Sequence, residues 1–362
     1  MITVKVKLTG SSYPVYLGSG LLTAAELLER HLGSGKTLIV SNDVVAPLYL
    51  DRVRTSLGNR DVEIHIIPDG ERFKTEETWY GIIDKLVDMQ AHRDTNIIAL
   101  GGGVIGDITG FAAACYMRGI RFLQLPTTLL AQVDASLGGK TAINHAKGKN
   151  LVGAFHQPVA VIIDSATLAS LPEREFNAGL AEVVKYGAIN DAGFFAWLEQ
   201  NAAAIKQRQE DALHHLIHES VKNKAAIVSQ DEKETGIRAL LNFGHSFGHA
   251  LEAESNYSRF LHGEAVSIGM VTAARLSEIR GLCQAGTAKR LATLLRILDL
   301  PVKQPADIKI SSLTKALALD KKALVSGLRL VLLKALGNAV VDSQSSEDDI
   351  LAAMKQSVVS PQ

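Results

Sequence analysis

Apolar and polar residues alternate from the start of the chain. Ile2, Val4, Val6 and Leu8 are separated by Thr3, Lys5 and Lys7, the period of a half-exposed strand. Further β-rich runs follow at KTLIVSND (36 to 43), VEIHIIPDG (62 to 70), NIIALGGG (96 to 103), IRFLQLPTT (120 to 128) and VAVIID (159 to 164). Helical patterns separate these runs, the arrangement expected of βαβ units on a parallel sheet. In such a sheet ligands gather at the carboxyl ends of the strands, and several of these runs end there in polar or glycine clusters.

After about residue 166 the pattern changes to long helical segments rich in Ala, Leu, Glu and Lys, such as 178 to 204, 209 to 230 and 264 to 280. The segment 287 to 299 stops ahead of Pro301, in keeping with the exclusion of proline from helix interiors. The expected organisation is an α/β domain over 1 to 165 and a mostly α-helical domain over 166 to 362. No internal repeat or low-complexity tract interrupts it.

Composition narrows the range of functions. The 362 residues are 47% hydrophobic and 21% charged, the balance of a globular chain with a packed core. Lys plus Arg and Asp plus Glu both total 38, so no net field favours nucleic acid or an anionic membrane, and any anion must be bound locally. No apolar run approaches the roughly 20 residues that a helix needs to cross a bilayer, and the N-terminus is not a signal peptide. Cys115 and Cys283 lie far apart and fit neither a metal pattern nor a disulfide framework, which points to a cytoplasmic protein.

Two clusters carry candidate chemistry. Gly101, Gly103 and Gly106 satisfy G-x-G-x-x-G between a strand-like run and a helical one, where a helix N-terminus offers free N–H groups to a pyrophosphate. This marks the first domain as Rossmann-like with a parallel sheet, although the acidic residue usual about 20 positions on is not evident in a stretch that carries Arg118 and Arg121. Gly139-Lys140-Thr141 is not a P-loop, because that motif requires glycine where this chain has Asp134. In LNFGHSFGHALE, His245 and His249 share one helical face. His262 and Glu264 follow downstream, and Glu182 and Lys185 share a face upstream, so three or four N and O ligands for zinc or a similar ion are at hand. Spacing alone makes His245 and His249 both ligands. The nearby Gly244, Gly248 and Gly263 permit close approach at a cost of roughly 1 kcal/mol each within helices, which suggests a function. His214, His215 and His218 read as solvated or hydrogen-bonded residues of an amphipathic helix.

The runs PDGERFK (68 to 74), GGGVIGDITGFAA (101 to 113), RG (118 to 119), LPTTLLAQVDASLGGKTAIN (125 to 144), GKNLVGAFHQP (148 to 158), AGLAEVVKYG (178 to 187), RALLNFGHSFGHALE (238 to 252), LHGEAVSIGM (261 to 270) and ALDKKALVSGLRLVL (318 to 332) resemble those of the 3-dehydroquinate synthase family, in order and spacing, over nearly the whole chain. The resemblance implies a homodimeric, NAD-dependent enzyme with one divalent ion, zinc or cobalt, acting on a sugar-acid phosphate. It implies Glu182, His245 and His262 as metal ligands, which moves His249 to the substrate side. For NAD it implies Asp69, Gly70, Glu71, Lys74, Gly102, Gly103, Val104, Gly106, Asp107, Thr127, Thr128, Lys140, Lys149, Thr167, Leu168 and Ser170. For the substrate it implies Arg118, Asp134, Lys140, Asn150, Lys185, Lys224, Arg238, Asn242, His249 and one lysine of the Asp320-Lys321-Lys322 run.

The implied reaction oxidises a ring hydroxyl, eliminates phosphate, reduces the ketone again and closes a carbocycle by an aldol step. A substrate bearing both carboxylate and phosphate accounts for many local cations in a chain of zero net charge. Either His249 or the departing phosphate can serve as base. Two other readings share the layout: another sugar-phosphate cyclase, and a metal-dependent polyol dehydrogenase, for which the extra cations have no use.

Overall fold

The computed structural model describes residues 1–255, 257–323 and 328–359, and the side chains of all these except 318–323. The Asp320-Lys321-Lys322 run therefore lies outside the described side chains. The strands are β1 (Ile2–Val6), β2 (Tyr13–Gly18), β3 (Thr37–Asn42), β4 (Val62–Ile67), β5 (Asn96–Gly101), β6 (Arg121–Pro126), β7 (Lys140–His145), β8 (Gly148–Phe155), β9 (Ala160–Asp164), β10 (Leu330–Ala335) and β11 (Asn338–Asp342). Seven form one sheet in the order β1-β2-β9-β6-β5-β3-β4. Only the β1–β2 pair is antiparallel.

The sheet is covered on both faces, and consecutive residues divide between two cores. Leu38, Val40, Ile97 and Ala99 pack on one side with Ile82 and Leu86 of α3 (Glu76–Asp88) and Ile105 and Ile108 of α4 (Gly103–Cys115). Ile39, Ile98 and Leu100 pack on the other with Leu27 and Leu28 of α1 (Ala25–His31) and Val53 of α2 (Ala46–Ser56). Both faces being buried explains why the central strands read as continuous apolar runs, while the edge strands β1 and β4 alternate. The chain goes from β3 outward to β4, then returns to place β5 on the other side of β3. That reversal leaves a crevice at the carboxyl ends of β3 and β5, where ligands of such sheets bind.

The remaining helices are α5 (Glu173–Asn190), α6 (Ala192–Lys206), α7 (Glu210–Gln230), α8 (His245–Glu254), α9 (His262–Ile279), α10 (Thr287–Ile297), α11 (Ile310–Ala323) and α12 (Glu347–Gln356). The helical segment expected over 178 to 204 is thus two helices. Asp191 ends the first and caps the second, its Oδ1 accepting from the Phe194 backbone N–H at 2.9 Å, as N-cap aspartates do.

The chain forms two compact units, residues 1–171 with 213–233 and residues 172–212 with 234–362. A single boundary near 165 leaves out the return of α7 to the first unit. Its Leu216, Ile217, Val221 and Val228 are buried, and polar contacts tie the segment to the first unit: Lys7 N–H donates to Ser229 Oγ at 3.2 Å, Gln157 Nε2 to Glu232 Oε1 at 2.9 Å, and Ser165 Oγ meets His214 Nε2 at 2.8 Å.

Candidate nucleotide and metal sites

In the first unit the crevice is lined by strand ends. Gly102 starts α4 with extended backbone, and no side chain caps the helix. The glycines here serve the protein's own packing as much as any ligand. A Cβ on Gly101 would stand 2.6 Å from Ile105, and one on Gly106 would stand 2.9 Å from Gln124 Oε1, so the helix lies tight on the sheet. Val104 and Asp107 belong to the first turns of α4. Thr127 follows β6, its N–H bonded to the Gly101 carbonyl at 3.0 Å, and its buried Oγ1 has no hydrogen-bond partner among the described residues. A buried hydroxyl left in this way is one that a ligand can satisfy. Thr128 Oγ1 accepts from Ala131 N–H at 3.2 Å.

Asp69, Gly70 and Glu71 follow β4. Asn42, at the end of β3, donates to Asp69 Oδ1 at 2.5 Å. Lys74 is buried, and its Nζ lies 2.5 Å from both Asp107 Oδ2 and Asn150 Oδ1. Burial pushes the Asp107 carboxyl up and Lys74 pulls it back. Asn144, a residue outside the expected set, holds this group together. Its side chain donates to Glu71 Oε1 at 2.7 Å and accepts from the Asn150 N–H at 3.0 Å, while its own N–H bonds the Lys74 carbonyl at 2.7 Å. Asn150 adopts a left-handed φ of 55°.

Thr167, Leu168 and Ser170 follow β9. Leu168 is fully buried, Thr167 Oγ1 donates to the Asp164 carbonyl at 2.7 Å, and Ser170 Oγ lies 2.5 Å from Tyr49 Oη. Lys140 opens β7 after Gly138 and Gly139, both at positive φ, and Lys149 lies on β8. Asp134 sits in a π-helical turn, Ala131–Ala135, a feature often found at functional sites. Lys224 is buried beside it, paired with its carboxylate and donating to its carbonyl at 2.7 Å. Arg118 is exposed on a turn where Met117 and Arg118 both have positive φ, 49° and 67°.

In the second unit Glu182 is fully buried on α5, ion-paired with equally buried Lys185 one turn on. His245 begins α8 and His262 begins α9, and the Nε2 atom of each lies 3.6 Å from Glu182 Oε1. Ligand atoms of these three lie within 4.8 Å of one another, and two imidazoles with one carboxylate form a donor set that suits zinc or a similar ion.

Burial drives His245 down to about 3, Glu182 opposing, so its ring is neutral with a lone pair to offer. Burial also disfavours charge on His262, but hydrogen bonds to Glu182 and Glu252 outweigh it and raise the ring to about 10. A carboxylate at this depth demands positive charge beside it, and the His262 proton occupies the place a cation would take. Of the other expected residues, His249 is exposed on α8, its ring 5.5 Å from that of His245 and 6.0 Å from that of His262. Arg238 is buried in the turn Ile237–Asn242, and Asn242 donates to Glu234 Oε1 at 2.9 Å.

The flanking glycines act on the site through close packing. A Cβ on Gly263 would lie 1.9 Å from the Ala178 carbonyl oxygen, one on Gly244 2.5 Å from Met270, and one on Gly248 3.1 Å from the Val266 nitrogen. They let α8 and α9 approach each other, and α9 approach α5, closely enough for the three ligands to meet.

Solved structures with the same architecture place the fold among the sugar-phosphate cyclases. A 2-epi-5-epi-valiolone synthase from Streptomyces hygroscopicus subsp. jinggangensis, with NAD+ and Zn2+ bound, is 32% identical with a TM-score of 0.89, covering 96% of this chain and 97% of that one. A 2-deoxy-scyllo-inosose synthase complexed with carbaglucose-6-phosphate, NAD+ and Co2+ is 25% identical with a TM-score of 0.88, covering 99% and 100%. A probable glycerol dehydrogenase from Sinorhizobium meliloti shares the fold alone, at 16% identity and a TM-score of 0.61 over 95% of this chain and 96% of that one.

Family models described as 3-dehydroquinate synthase N-terminal and C-terminal match residues 64–178 and 179–323. Proteins named 3-dehydroquinate synthase from Methylococcus capsulatus and Colwellia psychrerythraea are 51% and 48% identical, covering 94% and 97% of this chain and 95% and 99% of theirs. The chain belongs to the 3-dehydroquinate synthase family, enzymes that eliminate phosphate from their substrate.

Proposed function

We propose that the chain, with NAD and one zinc or cobalt ion bound, converts 3-deoxy-D-arabino-heptulosonate 7-phosphate into 3-dehydroquinate and phosphate. The sequence of events is transient oxidation, β-elimination, re-reduction and intramolecular aldol closure. The convergence of Glu182, His245 and His262 within 4.8 Å carries this reading. Identity near 50% to proteins named for this reaction favours it over a cyclase for another sugar phosphate, and the polyol dehydrogenase is matched in fold alone. When bound, the dinucleotide supplies a reversible hydride acceptor and the ion supplies Lewis acidity toward neighbouring hydroxyls.

The chain's own groups bind and orient. Glu182, His245 and His262 hold the ion, and Lys185 offsets the Glu182 charge. Asp69, Gly70, Glu71 and the α4 N-terminus from Gly102 to Asp107 hold NAD together with Thr127, Thr128, Lys140, Lys149 and the 167–170 stretch, while Lys74 is kept in place by Asp107 and Asn150. Arg118, Lys140, Lys224, Arg238 and Asn242 supply charge and donors for carboxylate and phosphate, and Asp134 holds the Lys224 ammonium in place. Exposed His249 can carry a proton to or from the substrate, with the departing phosphate as the other base. Aldol closure needs little beyond confinement of the reactive conformer. We further read the enzyme as a cytoplasmic homodimer, its two cysteines being free and its oligomeric state measurable by light scattering.

Trace NAD is expected to support many turnovers, releasing one phosphate per substrate with no lasting rise in nicotinamide absorbance. NADH accumulating one-for-one with substrate loss would make the chain a net oxidoreductase and end this reading.

A further inference from the structure

Helix α8 carries His245, His249 and Glu252 at i, i+4 and i+7, one stripe of its surface. Glu252 is only 2% exposed, a depth at which carboxylates are seldom found without a specific partner. It faces the first residue of α9: His262 Nδ1 lies 3.3 Å from Glu252 Oε2, while Nε2 of the same ring lies 3.6 Å from Glu182 Oε1. His245 repeats the arrangement with a neutral partner, its Nδ1 3.3 Å from the Phe243 carbonyl oxygen and its Nε2 3.6 Å from Glu182 Oε1. Both rings turn Nε2 toward one carboxylate oxygen, and a ring that donates through Nδ1–H offers its Nε2 lone pair to an ion that displaces any proton there.

We infer that Glu252 is a positioning residue for the metal: its carboxylate accepts from His262 Nδ1–H, fixes the ring's orientation and tautomer, and makes its Nε2 the stronger of the two imidazole donors. Charged acceptors behind a ligating histidine raise its basicity in this way, and a neutral carbonyl does so less. The inference rests on the reading of Glu182, His245 and His262 as the ligands. His249, Glu252 and His262 also lie within 4.8 Å of one another, but an ion there as well would need His262 to bind through both nitrogens, with neither left to carry a proton. One ion per chain, with Glu252 behind the ring, is the arrangement the distances favour.

The test uses the full-length chain and its Glu252→Gln and Glu252→Ala variants, stripped of metal and titrated with Zn2+ against a chromophoric chelator, then with Co2+ followed by its visible absorption. One ion per chain is expected in all three. Affinity should fall about tenfold in Glu252→Gln and up to about a hundredfold in Glu252→Ala, with a changed cobalt spectrum in Glu252→Gln and a metal-free unfolding midpoint lowered only by the loss of the His262 pairing. Should the alanine variant fail to fold, the isosteric glutamine variant decides.

Zinc affinity in Glu252→Gln within about twofold of the parent, or a second ion lost along with Glu252, would overturn the inference. So would a lowered metal-free midpoint with affinity intact, which marks a structural role only. A parent chain that takes up no ion at all removes the ligand reading itself, a result distinct from equal binding by parent and variant.

Discussion

His249 and His262 lie with their rings 6.0 Å apart, yet their losses should differ in kind. His262→Ala removes one of three protein ligands and is expected to purify folded but metal-poor and inactive. His249→Ala should keep full metal occupancy and lose roughly a hundredfold in turnover, the low end of a general acid–base contribution. Elemental analysis of the two proteins checks the assignment, and it fails if the first is fully loaded or the second empty. At this scale the sequence showed residue types and spacing but not direction. Spacing by four made His245 and His249 equivalent, whereas the helix start at His245 points only that ring at Glu182. Asn144 and Glu252 do not stand out in the sequence, because a lone amide on a strand and a glutamate late in a helix look like surface residues until folding brings partners from other elements beside them.

Elements came through best where the pattern was unambiguous, as in the continuous apolar runs of the central parallel strands and the long helical stretch of α7. The hairpin of β7 and β8 was not foreseen, because Leu151, Val152 and Phe155 are exposed and no alternation marks a buried face. At Gly263 the sequence allows a close approach but does not say that α5 is the element that comes close. Gly263→Ala should destabilise the second unit by the upper end of about 1–3 kcal/mol, because the added methyl meets a backbone oxygen at 1.9 Å that cannot swing aside. The same displacement moves His262, so thermal unfolding and zinc titration should both change. A variant as stable and as tight for zinc as the parent would show that α9 can shift without cost.

At the scale of the whole molecule, stability should depend on pH through half-buried histidines in the first unit. His31, His65 and His156 are all held below their ordinary value, burial being the main cause in each. The unfolded chain then takes up protons first, near pH 6.5. Their contribution is complete above that pH and is lost as pH falls toward the lower folded values. Metal-free His262, raised to about 10, acts in the opposite sense down to about pH 6.5, so in zinc-loaded protein the denaturation midpoint is expected to drop between about pH 7.5 and 5.5, and less steeply in His156→Gln. A midpoint flat over that range would contradict the sign.

The return of α7 to the first unit also bears on the order in which the protein is made. When residue 171 leaves the ribosome the sheet is complete, but the lysine that pairs with Asp134 lies some fifty positions further along the chain and has yet to emerge. A nascent chain must therefore hold an unfinished α/β unit while 172–212 emerges, because domains close only once all their parts are synthesised. Release at 171 should leave a protease-sensitive product, and release at 233 a first unit that resists digestion. Slow codons placed just after the first stretch would gain nothing for folding, whereas a pause beyond 233 would let the unit close.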